Sequence, residues 1–157
     1  MKAILVIGNC GVGKTYVMQK VIQKVRANDT VKLGLVNMHK NDRVAVLGKY
    51  IGDIFDGSDK LSMSVSTDFI RLKKWAKDNE MTLVCEGDRF TNKNFIDLFQ
   101  PEIVLIEGSG EEGRIKRKST QTKRQIQTIE TRVKNIQHHK SFKNSEDCYN
   151  YLCKNLI

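Results

Sequence analysis

Three glycines, a lysine and a threonine stand at fixed spacing near the start of the chain, in Gly8-Asn9-Cys10-Gly11-Val12-Gly13-Lys14-Thr15. Together they complete the pattern G-x-x-x-x-G-K-[ST]. Glycines there let backbone N–H groups converge on phosphate oxygens, in conformations that side chains would forbid. Lys14 is placed to reach the outer phosphates of a nucleoside triphosphate, and the Thr15 hydroxyl to ligate Mg²⁺. The pattern carries weight only between a strand and a helix. Ala3-Ile4-Leu5-Val6-Ile7 reads as a buried parallel strand directly before it. Val17, Met18, Val21, Ile22 and Val25 give helical spacing directly after it. The dipole of that helix adds positive potential at the same point. All eight residues of the loop are therefore candidate nucleotide contacts.

Carboxylates are the second requirement of phosphoryl chemistry. In parallel α/β sheets ligands sit at the carboxyl ends of the strands. Two more apolar runs, 81–85 and 103–106, end in Glu86-Gly87-Asp88-Arg89 and in Glu107-Gly108. A carboxylate at such an end, facing the phosphate loop, can hold Mg²⁺ through water. Glu86 and Asp88 are both candidates, Glu86 first for the metal and Asp88 also as a catalytic group. Arg89 can clamp a phosphate or substrate group bidentately. Glu107 stays open between a ligand role and plain solvation.

Positions 48–62 hold three glycines and three aspartates with little periodicity, in Gly48-Lys49-Tyr50-Ile51-Gly52-Asp53-Ile54-Phe55-Asp56-Gly57-Ser58-Asp59-Lys60-Leu61-Ser62. Long ordered loops of this kind are usually functional. Asp59 is the first candidate for a general base acting on an acceptor hydroxyl, ahead of Asp53 and Asp56. The competing reading is a turn aspartate bonded to its own backbone. Tyr50 and Phe55 either stack on a base or pin the loop to the core.

The elements that position these residues alternate between strand and helix. A hairpin is expected from the β-prone runs 31–38 and 43–47, separated by His39-Lys40-Asn41-Asp42. A helix capped by Ser66 or Thr67 should run to about Asn79, with Phe69, Leu72 and Ala76 on one face. A short helix around Phe95, Ile96, Leu98 and Phe99 should stop at Pro101, the only proline. Ile126, Ile129, Val133 and Ile136 predict a helix over 125–137 that packs through that face. Asn144 or Ser145 should cap a last helix, with Cys148, Leu152 and Leu156 inward. The result is an α/β three-layer fold, with a central, mostly parallel sheet and helices on both faces. At 157 residues it should be a single domain spanning 1–157.

Charge is informative by location. Between positions 114 and 143 stand ten basic residues and one acid, Glu130. Removing those from the 27 Lys and Arg and the 18 Asp and Glu of the chain leaves 17 of each. The whole net charge of +9 is thus confined to one segment, which marks a polyanion contact. Within it Arg114, Lys118 and Arg124 occupy the place of a mobile lid over the phosphates; Arg114 and Lys118 are candidate nucleotide contacts. A solvated basic face is the plainer alternative. No run approaches the roughly 20 apolar residues of a membrane span. Met1-Lys2 leads straight into the first strand without a signal-peptide pattern. The four cysteines form no C-x-x-C pair, so a reducing cytoplasm is the expected location.

Four stretches together, GNCGVGKT, LGKYIGDIFDGSDKLS, CEGDRF and a basic segment ending IETRVKNI, resemble the phage 5-hydroxymethyluracil DNA kinase family. The resemblance reaches to about Ile136. It implies a P-loop kinase-like fold and ATP-dependent phosphorylation of the 5-hydroxymethyl group of the modified pyrimidine in DNA, which activates the base for hypermodification. ATP and Mg²⁺ are the implied cofactors, and DNA containing the modified pyrimidine the implied partner, met by the basic segment at about 110–140. A small-molecule deoxynucleoside monophosphate kinase shares the same loop, strand end and lid. A GTP-hydrolysing switch fits less well, because Asn92-Lys93-Asn94-Phe95 lacks the aspartate of the guanine-reading N-K-x-D motif. A motor, or a nucleic-acid-binding module with a vestigial loop, is a further alternative; the intact Lys14-Thr15 pair argues against the latter.

Overall fold

The computed structural model describes residues 1–52, 57, 60–116 and 121–157. Seven strands form one sheet in the order β2-β3-β4-β5-β1-β6-β7. They are β1 (Lys2–Gly8), β2 (Asp29–Leu33), β3 (Val36–Lys40), β4 (Val44–Leu47), β5 (Thr82–Glu86), β6 (Glu102–Ile106) and β7 (Lys140–Phe142). The five from β4 to β7 in that order are mutually parallel, whereas β2 and β3 pair antiparallel at one edge. The helices are α1 (Lys14–Val25), α2 (Phe69–Asp78), α3 (Lys93–Phe99), α4 (Glu111–Lys116), α5 (Lys123–Asn135) and α6 (Ser145–Leu156).

The alternation of β1 divides the core. Ala3, Leu5 and Ile7 face a layer built by Phe69, Leu72, Phe95 and Phe99 of α2 and α3, with Val133 and Ile136 packed against it. Ile4 and Val6 face Val17, Met18 and Val21 of α1 and Cys148 and Leu152 of α6. Both faces of the sheet are covered, as continuous apolar strands require. No helix among the described residues is long and apolar enough to cross a membrane.

The expected hairpin is present as β3-β4, and β2 extends it to a three-strand meander. The run 31–38 breaks at Gly34, whose φ of +60° suits glycine. The Asp68 carboxylate packs over Gly34 and accepts the Leu35 N–H at 2.8 Å. Asp68 therefore serves that turn; the helix start expected at Ser66 or Thr67 is instead a 3₁₀ turn, Val65–Asp68, leading into α2. His39 and Lys40 belong to β3, and the turn falls on Asn41, whose Oδ1 accepts the N–H groups of Arg43 and Val44. The last helix is capped by Asn144, as expected. The first residues of α5 are fixed by a reciprocal capping box between Thr122 and Gln125. Its apolar face is only half-buried, however, and part of it looks into the cleft described next.

Candidate active site

The carboxyl ends of β1, β5 and β6 open into a cleft of about 1060 Å³ that runs along the phosphate loop. Gly11 and Gly13 carry φ of +91° and +101°, which turn the chain from β1 into α1. Gly13 caps α1, so no side chain closes the helix's first N–H groups in the described geometry. Lys14 folds back over the loop and donates from Nζ to the Gly8 carbonyl at 2.7 Å and the Asn9 carbonyl at 3.0 Å. Asn9 Nδ2 in turn donates to the Gly108 carbonyl at 2.8 Å, tying the loop to the end of β6.

Glu86 is delivered to the same place by sheet register. It is the last residue of β5 and pairs with Val6 of the neighbouring β1, two residues before the loop. Its side chain is 3% exposed. Oε1 lies 3.4 Å from Thr15 Oγ1, too long for a strong O–H···O bond. That spacing leaves the pair able to share an ion or a water. Among the described residues no cluster of three His, Cys, Asp or Glu forms a cage. One hydroxyl and one carboxylate are what Mg²⁺ takes from protein when phosphate oxygens and water complete its octahedron. The donor set therefore fits the implied metal.

The turn after β5 is held from below. Phe90 and Phe95 are fully buried and belong to a cluster with Phe69 and Phe99 whose ring centroids lie 4.5 to 6.3 Å apart. Such pairs contribute roughly 0.5–1.5 kcal/mol each beyond burial. They anchor the segment that presents Asp88 and Arg89. Asp88 lines the cleft and forms an ion pair with Arg132 of α5. Arg89 turns the other way and donates from Nε to the Leu61 carbonyl at 3.3 Å. Glu107 is exposed on the cleft wall.

Sequence reasoning missed α4, which lies against the loop itself. Gly110 and Gly113 approach the Cys10 and Gly11 carbonyls so closely that a Cβ at either position would overlap them. Arg114 Nη1 donates to the Cys10 carbonyl at 2.8 Å and the Ser109 carbonyl at 2.7 Å. The expected lid arginine thus meets the phosphate loop. The only signal was the spacing of Gly110 and Gly113, one helical turn apart. Tyr50 resolves toward pinning: it is 9% exposed, and its hydroxyl donates to Glu86 Oε1 at 3.0 Å. Arg124 is exposed in the first turn of α5. Asp59, Asp53, Asp56, Phe55 and Lys118 lie outside the described residues.

A second cavity, about 1400 Å³, runs between α3 and α5 and shares Asp88, Thr91 and Arg132 with the cleft. Its wall includes Met63, Arg89 and Lys93. Comparison with models of known families, with curated proteins and with solved structures finds no match to the chain.

Proposed function

We propose that this chain is a P-loop kinase that transfers the γ-phosphoryl group of ATP, with Mg²⁺, to the 5-hydroxymethyl group of hydroxymethyluracil in DNA. The observation that carries the reading is the convergence of Lys14, Thr15 and the buried Glu86 in a cleft that shares Asp88, Thr91 and Arg132 with a neighbouring cavity.

In this mechanism the Lys14 ammonium leaves the Gly8 and Asn9 carbonyls for the outer phosphates. Mg²⁺ held by Thr15, and by Glu86 through water, would neutralise charge on the β- and γ-phosphates. Arg114, already at the loop, and Lys118 would meet the phosphates from the lid side. The acceptor oxygen attacks the γ-phosphorus, and the bond from that phosphorus to the β,γ-bridging oxygen breaks. ADP leaves with that electron pair. The hydroxyl proton passes to a carboxylate, assigned to Asp59, and Asp88 and Arg89 orient the acceptor.

One feature favours a polymer acceptor. The net positive charge is confined to the segment that includes α5, where Lys123, Arg124 and Lys134 are exposed. If four or five of the ten basic residues of that segment neutralise DNA phosphates, affinity should fall about 10²-fold between 50 and 200 mM salt. The test offers γ-labelled ATP with hydroxymethyluracil DNA, unmodified DNA and free nucleotides in parallel. Label in the modified DNA alone supports the reading. Turnover of hydroxymethyl-deoxyuridine monophosphate or thymidylate with DNA inert makes the chain a small-molecule kinase instead.

A further inference from the structure

The central loop touches the Glu86 carboxylate at two points. Tyr50 hydroxyl donates to Oε1 at 3.0 Å, in a buried bond. Gly57, with φ of +101°, passes so close to the same Oε1 that a Cβ there would overlap it. These two residues are not independent of each other. Lys49 and Gly57 form an antiparallel bridge, with N–H···O distances of 2.6 and 3.2 Å, which holds Gly57 next to the residue that precedes Tyr50. Tyr50 is held from behind as well. Its backbone N–H donates to His39 Nε2 at 3.0 Å, and its ring meets the His39 ring edge-on at 5.8 Å. A strand residue of β3 therefore fixes the tyrosine, and the tyrosine addresses the oxygen that faces Thr15.

A carboxylate side chain has free rotation about its terminal bonds until something holds it. Here one oxygen has two hydroxyl neighbours, Thr15 on the phosphate loop and Tyr50 on the central loop. We infer that Tyr50 is a positioning residue: its hydroxyl orients Glu86 toward Thr15, and so supports divalent-cation binding at the phosphate loop. The inference rests on the proposed role of Glu86 and Thr15 as the metal pair. Partners that orient metal-bound carboxylates are typically worth 10–100-fold in metal affinity or activity.

The test uses the full chain and the non-hydrolysable analogue AMP-PNP, with affinity measured by calorimetry in Mg²⁺ and again in EDTA. Tyr50→Phe keeps the ring on His39 and deletes only the hydroxyl. It should weaken binding in Mg²⁺ about tenfold and leave binding in EDTA within about twofold of wild type. Glu86→Gln should weaken the Mg²⁺ arm as well, and Tyr50→Phe added to Glu86→Gln should weaken it no further, because the tyrosine acts only through that carboxylate. If Glu86→Gln has its effect and Tyr50→Phe is silent, the inference fails and the metal pair stands. Equal loss in both arms, or losses that multiply in the double variant, also overturn it, since those mark a merely structural tyrosine. If Glu86→Gln is itself silent in Mg²⁺, the metal pair is wrong and the inference falls with it.

Discussion

Gly113→Ala should leave the protein folded and impair the proposed phosphoryl transfer. Gly113 sits inside α4 with ordinary helical neighbours, so alanine there favours the helix by about 1 kcal/mol. The cost lies elsewhere. An added Cβ would overlap the Gly11 carbonyl oxygen and lie 2.8 Å from its carbon. Both partners are backbone, one in a helix and one in the tightest part of the phosphate loop, so neither yields by a rotamer change. The helix must retreat on the order of 1 Å, and misplacement by that distance can cost about 10²-fold in turnover. Arg114 moves with it and loses its hold on the Cys10 carbonyl. We expect kcat to fall about 10- to 100-fold, by the same geometric argument, with the melting temperature little changed, because the helix gain and the clash oppose each other. Limited trypsin digestion gives a readout that needs no substrate: release of α4 should speed cleavage after Arg114 and Lys116. Wild-type kcat together with wild-type cleavage would refute the idea that α4 works from its seat on the loop.

Lys14→Ala should abolish phosphoryl transfer in the labelled-ATP assay with little change in melting temperature, because the Gly8 and Asn9 carbonyls that its ammonium meets belong to the loop a ligand would occupy; near wild-type turnover would contradict this. Asp59→Asn should reduce kcat by about 10²- to 10⁴-fold with ATP affinity maintained. Asp88→Asn should be the milder of the two, since its carboxylate already pairs with Arg132; the reverse order reassigns the base. Burial pushes the Cys148 thiol up to about 12, and burial, then the Glu86 charge, raises Cys85 well above the ordinary range. Both stay protonated at pH 8, so a thiol reagent should label half-buried Cys153 and spare them until denaturant is added. Labelling of either at the Cys153 rate in the folded protein would show that these layers open.

The loop and the strand that feeds it were legible because their chemistry is local: eight consecutive residues hold the pattern, and β-branched apolar residues precede it. Glu86 was legible for a related reason, as the first acid after a buried run. What the sequence hid depends on contacts across long separations. Tyr50 and Glu86 are 36 positions apart, and no periodicity in either segment reports their bond. The helix α4 lacks an apolar stripe and contains a glycine, the residue that argues most strongly against a helix apart from proline. Its partner is bare backbone, which asks for glycine rather than for hydrophobes. Strand β7 is three residues, Lys140-Ser141-Phe142, at the sheet edge, with the first two exposed. A short, charged edge strand of that kind is common, and it carries almost no signal. The third strand of the meander was hidden because the break at Gly34 is made by Asp68, from another element, 34 positions away.

The three strand-end acids also differ in depth, and depth sorts their electrostatics. Glu107 is exposed, Asp88 is partly exposed and neutralised by Arg132, and Glu86 is 3% exposed. A cation beside Glu86 meets a charge in a region of lower effective dielectric than one beside Glu107, so the attraction is stronger and less screened. Lys123, Arg124 and Lys134 of α5 lie at the opposite extreme, on the surface, where salt with a Debye length of about 8–10 Å screens them. Two kinds of phosphate contact then follow from one architecture. Contacts made at the loop, around Lys14, Thr15 and Glu86, should hold in high salt. Contacts made along α5 should not. Raising salt from 50 to 200 mM should therefore separate the two ligands in a single experiment, weakening DNA about 10²-fold and ATP far less, and neutralising Lys123, Arg124 and Lys134 together should flatten the DNA slope alone. Equal salt dependence for both ligands would place DNA phosphates in the cleft itself and remove α5 from recognition.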